Sequence, residues 1–207
     1  MTSRRAQLGL HGAVVFLCFT PVYWLAYASL TDGLGANPVE KITHVTGHVA
    51  LRLLLLTLLI TPLRKLTRWR GIAPYRRSFG LCAFSYVCLH LATYVGFDLG
   101  FAFSALGEDI LERPYITVGF TAFCLLVPLA ATSTRASIKR LGRRWVSIHR
   151  LIYAAAICAV IHFFWLVKAD NREPLLYGGV LALLLAARAL PARQTTGRLG
   201  RERPEPK

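Results

Sequence analysis

Charge is what this sequence has least of. Only 17% of its 207 residues are charged, against about a quarter in an average soluble domain. Acids are scarcest, with 10 Asp and Glu against 25 Lys and Arg, so the formal net charge is +15 and the pI is about 10.3. The apolar share of 55% excludes a disordered chain. A nucleic-acid-binding domain is excluded by arrangement: it would gather its cations on a polar surface, and here long apolar runs keep them apart. No CxxC occurs, so neither a disulfide framework nor a zinc site is indicated. Cys18, Cys82, Cys88, Cys124 and Cys158 all fall inside apolar runs, where they read as small packing residues. A glycine-rich phosphate loop, a Ser/His/Asp arrangement and a zincin motif are all missing. No internal repeat is evident.

What is there is a set of six apolar runs: Leu8 to Leu30, His44 to Leu63, Ser78 to Phe97, Tyr115 to Ala131, Val146 to Val167 and Pro174 to Leu190. A membrane-spanning helix needs roughly 17–25 mostly apolar residues, and continuous rather than alternating runs exclude a membrane barrel. The expected fold is therefore all-α, an integral membrane bundle of about six transmembrane helices. The run from Leu8 is too long for a signal peptide and lacks a small-residue cleavage site, so it reads as a retained helix. Residues 1–193 form one transmembrane domain, and the polar stretch 194–207 reads as a flexible cytoplasmic tail.

Orientation follows from the cations. Arg4 and Arg5, the cluster from Arg64 to Arg77, the cluster from Arg135 to Arg150, and Arg188 with the tail all fall on one side. Only Lys41, Arg113, Lys168 and Arg172 fall on the other. The positive-inside rule places both termini in the cytoplasm. Asp32, Glu40, Asp98, Glu108, Asp109, Glu112, Asp170 and Glu173 lie on the outer side. That bias reads as topology alone or as a docking face for an outer partner, with the segment from Phe97 to Arg113 the main candidate.

Ionisable residues within a bilayer are costly and mark function, and here they are histidines. The third and fifth runs both go from inside to outside. At 1.5 Å per residue, His90 is about 10 Å and His162 about 8 Å below the outer end of its helix. Two imidazoles from different helices at one depth are what a haem iron takes as axial ligands, and bundle cores commonly house such cofactors. The plainer alternative is a hydrogen-bonded pair in a polar core. His149 lies about 20 Å further in, opposite Arg76 and Arg77 rather than a second histidine, so a second haem stays open. His44, His48 and Arg52 are spaced i, i+4, i+8 and share one helix face. Arg52, the one clearly intramembrane cation, either meets a haem propionate or snorkels along its helix. His44 or His48 is an alternative outer ligand. No acid falls inside an apolar run, which weighs against a proton-driven transporter.

The segments VTGHVALRLLLLTLLITPLRKL, YRRSFGLCAFSYVCLHLATY, RPYITVGF, TSTRASIKRLGRRWVSIHRLIY and VIHFFWLVKAD, which fall between Pro38 and Tyr177, carry a resemblance. They are similar to the haem-binding membrane subunits of the bacterial protein-methionine-sulfoxide reductase system, the MsrQ (YedZ) family of the ferric-reductase-like transmembrane group. The resemblance implies a multi-pass protein of the inner membrane. It implies b-type haem, one or two, and FMN, and haem ligation by His90, His149 and His162, with His48 atypical as a ligand. It implies electron delivery to a periplasmic molybdopterin enzyme that reduces methionine sulfoxide in oxidised proteins. The donor is a quinol or a cytoplasmic flavin reductase. One haem in the outer leaflet does not bridge a core about 30 Å thick, so a flavin or second haem near His149 is expected, with Arg140, Arg143 and Arg144 available to a flavin phosphate. The competing readings are a stand-alone ferric or other metal reductase, and a cofactor-free small transporter or structural membrane subunit.

Overall fold

A helix that is apolar all round has no surface suited to water, and in lipid every backbone group must be satisfied within the helix. The computed structural model describes residues 4–167 and 169–189, with side chains for all of these except 4–8 and 70. Arg193, Arg198, Arg201, Arg203, Lys207 and Lys168, and the expected tail 194–207, lie outside the described residues. The helices are α1 (Arg4–Leu30), α2 (Pro38–Thr67), α3 (Tyr75–Thr93), α4 (Phe103–Glu112), α5 (Pro114–Ala131), α6 (Arg135–Leu141), α7 (Arg143–His149), α8 (Leu151–Leu166) and α9 (Arg172–Ala189). A single-turn 3₁₀ segment, Arg70–Ile72, precedes α3, and a π-helical turn, Tyr94–Asp98, extends it. Among the described residues there is no strand.

Five stretches are long and apolar enough to cross a membrane: Gly9–Leu30, Pro38–Thr67, Tyr75–Asp98, Pro114–Ala131 and Arg143–Leu166. The sixth expected span is α9, a helix of 18 residues. It carries Arg172, Glu173 and Arg188 and is not one of the five. The ends are called inner and outer here by the charge asymmetry of the loops.

The core is a four-helix ring. α2 packs on α3, α3 on α5, α5 on α8 and α8 back on α2, while α1 covers α2 and α3, and α9 covers α2 and α8. Small residues, Ala50, Ala83, Ala155 and Ala156, are buried at these contacts, as membrane helices require for close approach. Asn37 starts α2: its side chain accepts from the Glu40 amide (3.3 Å) and donates to the Glu40 carboxylate (2.9 Å), with Pro38 in the first turn.

The two halves of the ring share a few contact positions. Shifting α2–α3 by 72 residues, without a gap, superposes Glu40 on Glu112, Gly47 on Gly119, Ala50 on Ala122, Leu54 on Leu126, Ala83 on Ala155, His90 on His162 and Asp98 on Asp170. Ala50, Leu54 and Ala83 are buried, and so are Ala122, Leu126 and Ala155. The absence of a repeat expected from the sequence is therefore corrected. The repeat lies in a few contact residues, and apolar substitution hides it elsewhere. It places His90 and His162 on helices that face each other across the ring.

Pro62 interrupts α2. A proline has no N–H to give the carbonyl four residues earlier, so Leu58 C=O is orphaned at a position with no exposure. Arg188, reaching in from α9, donates to it through Nε (3.1 Å) and Nη2. Its Nη1 donates to the Tyr153 hydroxyl (2.9 Å), and its guanidinium lies 5.4 Å from the centre of that ring. Arg188→Met is expected to leave the buried carbonyl unsatisfied, at about 1–3 kcal/mol. Its thermal unfolding in detergent should come several degrees below that of the parent; an unchanged midpoint would contradict this tie.

Candidate functional site

The site is built at the outer ends of α3 and α8. His90 and His162 meet with ring centroids 6.2 Å apart and planes at 81°. Each ring is held the same way. His90 Nδ1–H donates to the Thr43 carbonyl at 3.0 Å, and His162 Nδ1–H donates to the Tyr115 carbonyl at 2.7 Å. A carbonyl can only accept, so both tautomers are fixed and each Nε2 keeps a bare lone pair. That is the state in which imidazole ligates a metal, with the partner on the other nitrogen orienting the ring.

Glycine makes room for both rings. A Cβ at Gly47 would stand 3.1 Å from His90 Cε1, and one at Gly119 would stand 2.7 Å from His162 Nδ1. Both glycines come four residues after the carbonyl that holds the ring, so each imidazole lies in a notch on the neighbouring helix.

The residues fit a haem iron, which the two bare imidazole Nε2 atoms would hold. Thr43 Oγ1, beside the carbonyl that holds His90, is buried and without a partner among the described residues, as expected where a polar ligand belongs. Among the described residues no three His, Cys, Asp or Glu converge as a metal cage. A haem iron would need only these two imidazoles from the protein.

A second cluster stands behind this pair, between α2 and α9. His48 Nδ1 is 3.4 Å from Glu173 Oε1, and Arg52 Nη2 is 3.9 Å from the same oxygen. Arg52 Nε donates to the Tyr177 hydroxyl at 2.7 Å. The His48 ring meets Phe163 edge-on at 5.0 Å, and His44 is 6.2 Å from His48. Arg52 thus has partners on α9 that the sequence did not point to.

The other candidates fall elsewhere. His149 is half-buried, near the inner end. Its Nδ1–H donates to the Trp145 carbonyl (3.1 Å), and its ring stacks on Trp145 at 3.9 Å. Among the described residues it faces no second histidine, and Arg76 lies within electrostatic range. His11 stacks on Tyr75 at 4.6 Å. Above the outer pair, Tyr94 OH donates to Asp109, which also pairs with Arg113 at 3.0 Å. Asp109 therefore ties α4 to α3, and Glu108 and Glu112 are the acids that α4 exposes.

Residues 46–160 match the family described as "Ferric reductase like transmembrane component". The chain is 53% identical over 179 residues to a protein of Xanthomonas axonopodis pv. citri named "Protein-methionine-sulfoxide reductase heme-binding subunit MsrQ", covering 85% of this chain and 82% of that one. This chain belongs to the MsrQ family. Relatives of the same name in Xanthomonas campestris pv. campestris (52% over 202 residues, 93% and 91% of the two chains) and Rhodospirillum rubrum (48% over 189 residues, 90% and 91%) cover nearly its whole length. No solved structure matches it. Its place among multi-pass ferric-reductase-like membrane proteins agrees with the helical bundle described above. The MsrQ name of these relatives states haem binding, the chemistry that the His90–His162 pair fits.

The pair was legible in the sequence. The two carbonyl acceptors, the two glycines and Glu173 were not singled out, and the 72-residue repeat was the signal that would have found Gly47 and Gly119.

Proposed function

We propose that this chain is the haem-carrying electron-transfer subunit of a methionine-sulfoxide reductase system, lying in the inner membrane with both termini cytoplasmic. The observation that carries this is the His90–His162 pair, with both Nδ1–H groups committed to carbonyls and both Nε2 lone pairs free. A b-type haem held there supplies reversible one-electron storage. His90 and His162 would hold it, Thr43 and Tyr115 fix the imidazoles, and the apolar ring of α2, α3, α5 and α8 keeps water away. Arg52 is assigned to the rim of the site, through Glu173 and Tyr177.

His149, with its Nδ1–H committed and its Nε2 bare, is the ligand proposed for a second redox group nearer the inner side. FMN or a second haem would serve there, with Arg140, Arg143 and Arg144 available to a flavin phosphate. Electrons come from a cytoplasmic flavin reductase or a quinol and leave to a periplasmic molybdopterin subunit that reduces methionine sulfoxide. The direct test mixes the reduced chain with that subunit and a methionine-sulfoxide peptide. The reduced α-band should decay only when all three are present. Decay with chelated ferric iron alone, and none with the partner, would favour a stand-alone metal reductase instead.

Docking is assigned to α4. Glu108→Gln with Glu112→Gln is expected to slow partner-dependent oxidation several-fold at low salt and to flatten its salt dependence, with haem content unchanged. Equal rates at all salt concentrations would remove α4 as the docking face.

A further inference from the structure

Helix α4 has 10 residues, far short of a span. It is tied closely to two spans at their outer ends, following the π-helical turn Tyr94–Asp98 and preceding Pro114, the first residue of α5. A helix so tied lies at the outer membrane surface. At about 100° per residue its side chains fall into three sectors. Ala105, Leu106, Asp109 and Ile110 are partly buried against the bundle. Asp109 accepts from Tyr94 OH and pairs with Arg113, and Thr117 Oγ1 on α5 donates to the Ile110 carbonyl, so this face is fixed. The rest of the circumference is exposed and is itself divided. Ser104, Glu108 and Glu112 form an acidic edge, and Phe103, Gly107 and Leu111 form an apolar one. Phe103 is 70% and Leu111 87% exposed.

The stretch that leads into α4 carries two more exposed rings, Phe97 and Phe101. Phe101 has a φ of +64°, which a bulky residue rarely adopts. Its N–H donates to the Val95 carbonyl at 2.9 Å, and its ring lies over Gly96. Such a position persists only where its surroundings hold it, and here it keeps an aromatic ring on the outside of the bundle. In water these groups would be an aggregation liability; at the membrane–water boundary aromatic rings are at home. We propose that the apolar edge of α4 is a lipid-binding surface. The helix lies in the outer leaflet with Phe103 and Leu111 in lipid and Glu108 and Glu112 in water, dipping about 5–10 Å into the headgroup and acyl boundary. Lipid is the occupant because this edge continues the lipid-facing surface of the span that ends beside Phe97, whereas a water-soluble protein would meet the acidic edge. Bundle, bilayer and water each take one sector, so α4 is held at a fixed height over the outer end of α3. Where α4 also docks the partner, as assigned above, that partner approaches along the membrane surface. The lipid contact itself does not need the docking reading.

The test uses the full chain in vesicles of phosphatidylethanolamine and phosphatidylglycerol. In the first arm, a phospholipid carrying a diazirine near the top of its acyl chain is photolysed on the unaltered protein, and the peptide holding α4 should be labelled. In the second, a charged, water-soluble maleimide is added to cysteine variants. Glu108→Cys and Glu112→Cys should react readily, and Phe103→Cys and Leu111→Cys at least about tenfold more slowly, as burial at the acyl boundary requires. The native cysteines Cys18, Cys82, Cys88, Cys124 and Cys158 lie within membrane spans, so the parent chain supplies the background. Unfolding in dodecyl sulfate should bring all four variants to one rate. An unlabelled α4, or Phe103→Cys and Leu111→Cys reacting as fast as Glu108→Cys, would overturn the proposal. Fast reaction at Leu111→Cys that the periplasmic partner suppresses would give this edge to the partner protein and overturn it too. Slow reaction there, together with parental partner oxidation in Glu108→Gln with Glu112→Gln, would remove the docking reading and leave the lipid surface standing.

Discussion

His90→Ala and His162→Ala are each expected to abolish the six-coordinate, low-spin haem spectrum. The two imidazoles stand 6.2 Å apart in a part of the ring where the described structure offers no third imidazole at ligand distance from either. His44 and His48 turn instead to each other, with His48 also facing Phe163, Tyr177 and Glu173. Loss of either ring would leave a haem held there with one protein ligand, so the sharp reduced α-band of that haem should vanish in both variants. His11→Ala is the control: His11 lies on α1 against Tyr75, and its removal should leave the band intact. The readout is the oxidised and reduced optical spectrum with haem per chain. A band that survives both substitutions would mean that these histidines are not the ligands.

Gly119→Ala should come close to the effect of His162→Ala, although it removes no ligand. The added Cβ would lie 2.7 Å from His162 Nδ1, the atom that donates to Tyr115. The imidazole must move, and with it the bond that fixes its tautomer. Gly47→Ala meets His90 at 3.1 Å, where a shift of a few tenths of an ångström suffices. Its expected cost is roughly tenfold in haem affinity, the lower end for a residue that only orients a ligand. Alanine is the better helix former by about 1 kcal/mol, but the crowded ring and its lost bond to Tyr115 cost more, so the haem-free Gly119→Ala chain should melt somewhat below the parent while keeping its helix content. Lost haem with retained helix content and a cooperative melt separates a blocked notch from a misfolded helix. Full haem occupancy in Gly119→Ala would show that His162 does not need this position.

The histidine pair could be read from the sequence because membrane depth is nearly a linear count along a helix. His90 and His162 occur at similar distances from the outer ends of two helices that run the same way. Their carbonyl acceptors could not be read this way. Thr43 and Tyr115 act through the backbone, which carries no residue-type signal, and each is 47 residues from its histidine. Glu173 falls between two apolar runs, so the sequence places it on the outer side. In the structure it lies in the first turn of α9, and because α9 packs on α2 it reaches His48 and Arg52. The segment from Phe97 to Arg113 was read as an acidic loop, yet Phe103–Glu112 is helical. Ten residues are too short for a span, so no long apolar run announces them. Arg188 was counted only as a topological charge. Its structural task follows from Pro62, on another helix, and from packing that a one-dimensional reading does not contain.

The measurement that bears most directly on this account is haem per chain in the purified, detergent-solubilised protein, with its oxidised and dithionite-reduced spectra. The account predicts a b-type, low-spin spectrum with at least one haem per chain. A protein that is colourless as isolated and stays colourless after haem is added would contradict it, and would return His90 and His162 to a hydrogen-bonded pair in a polar core.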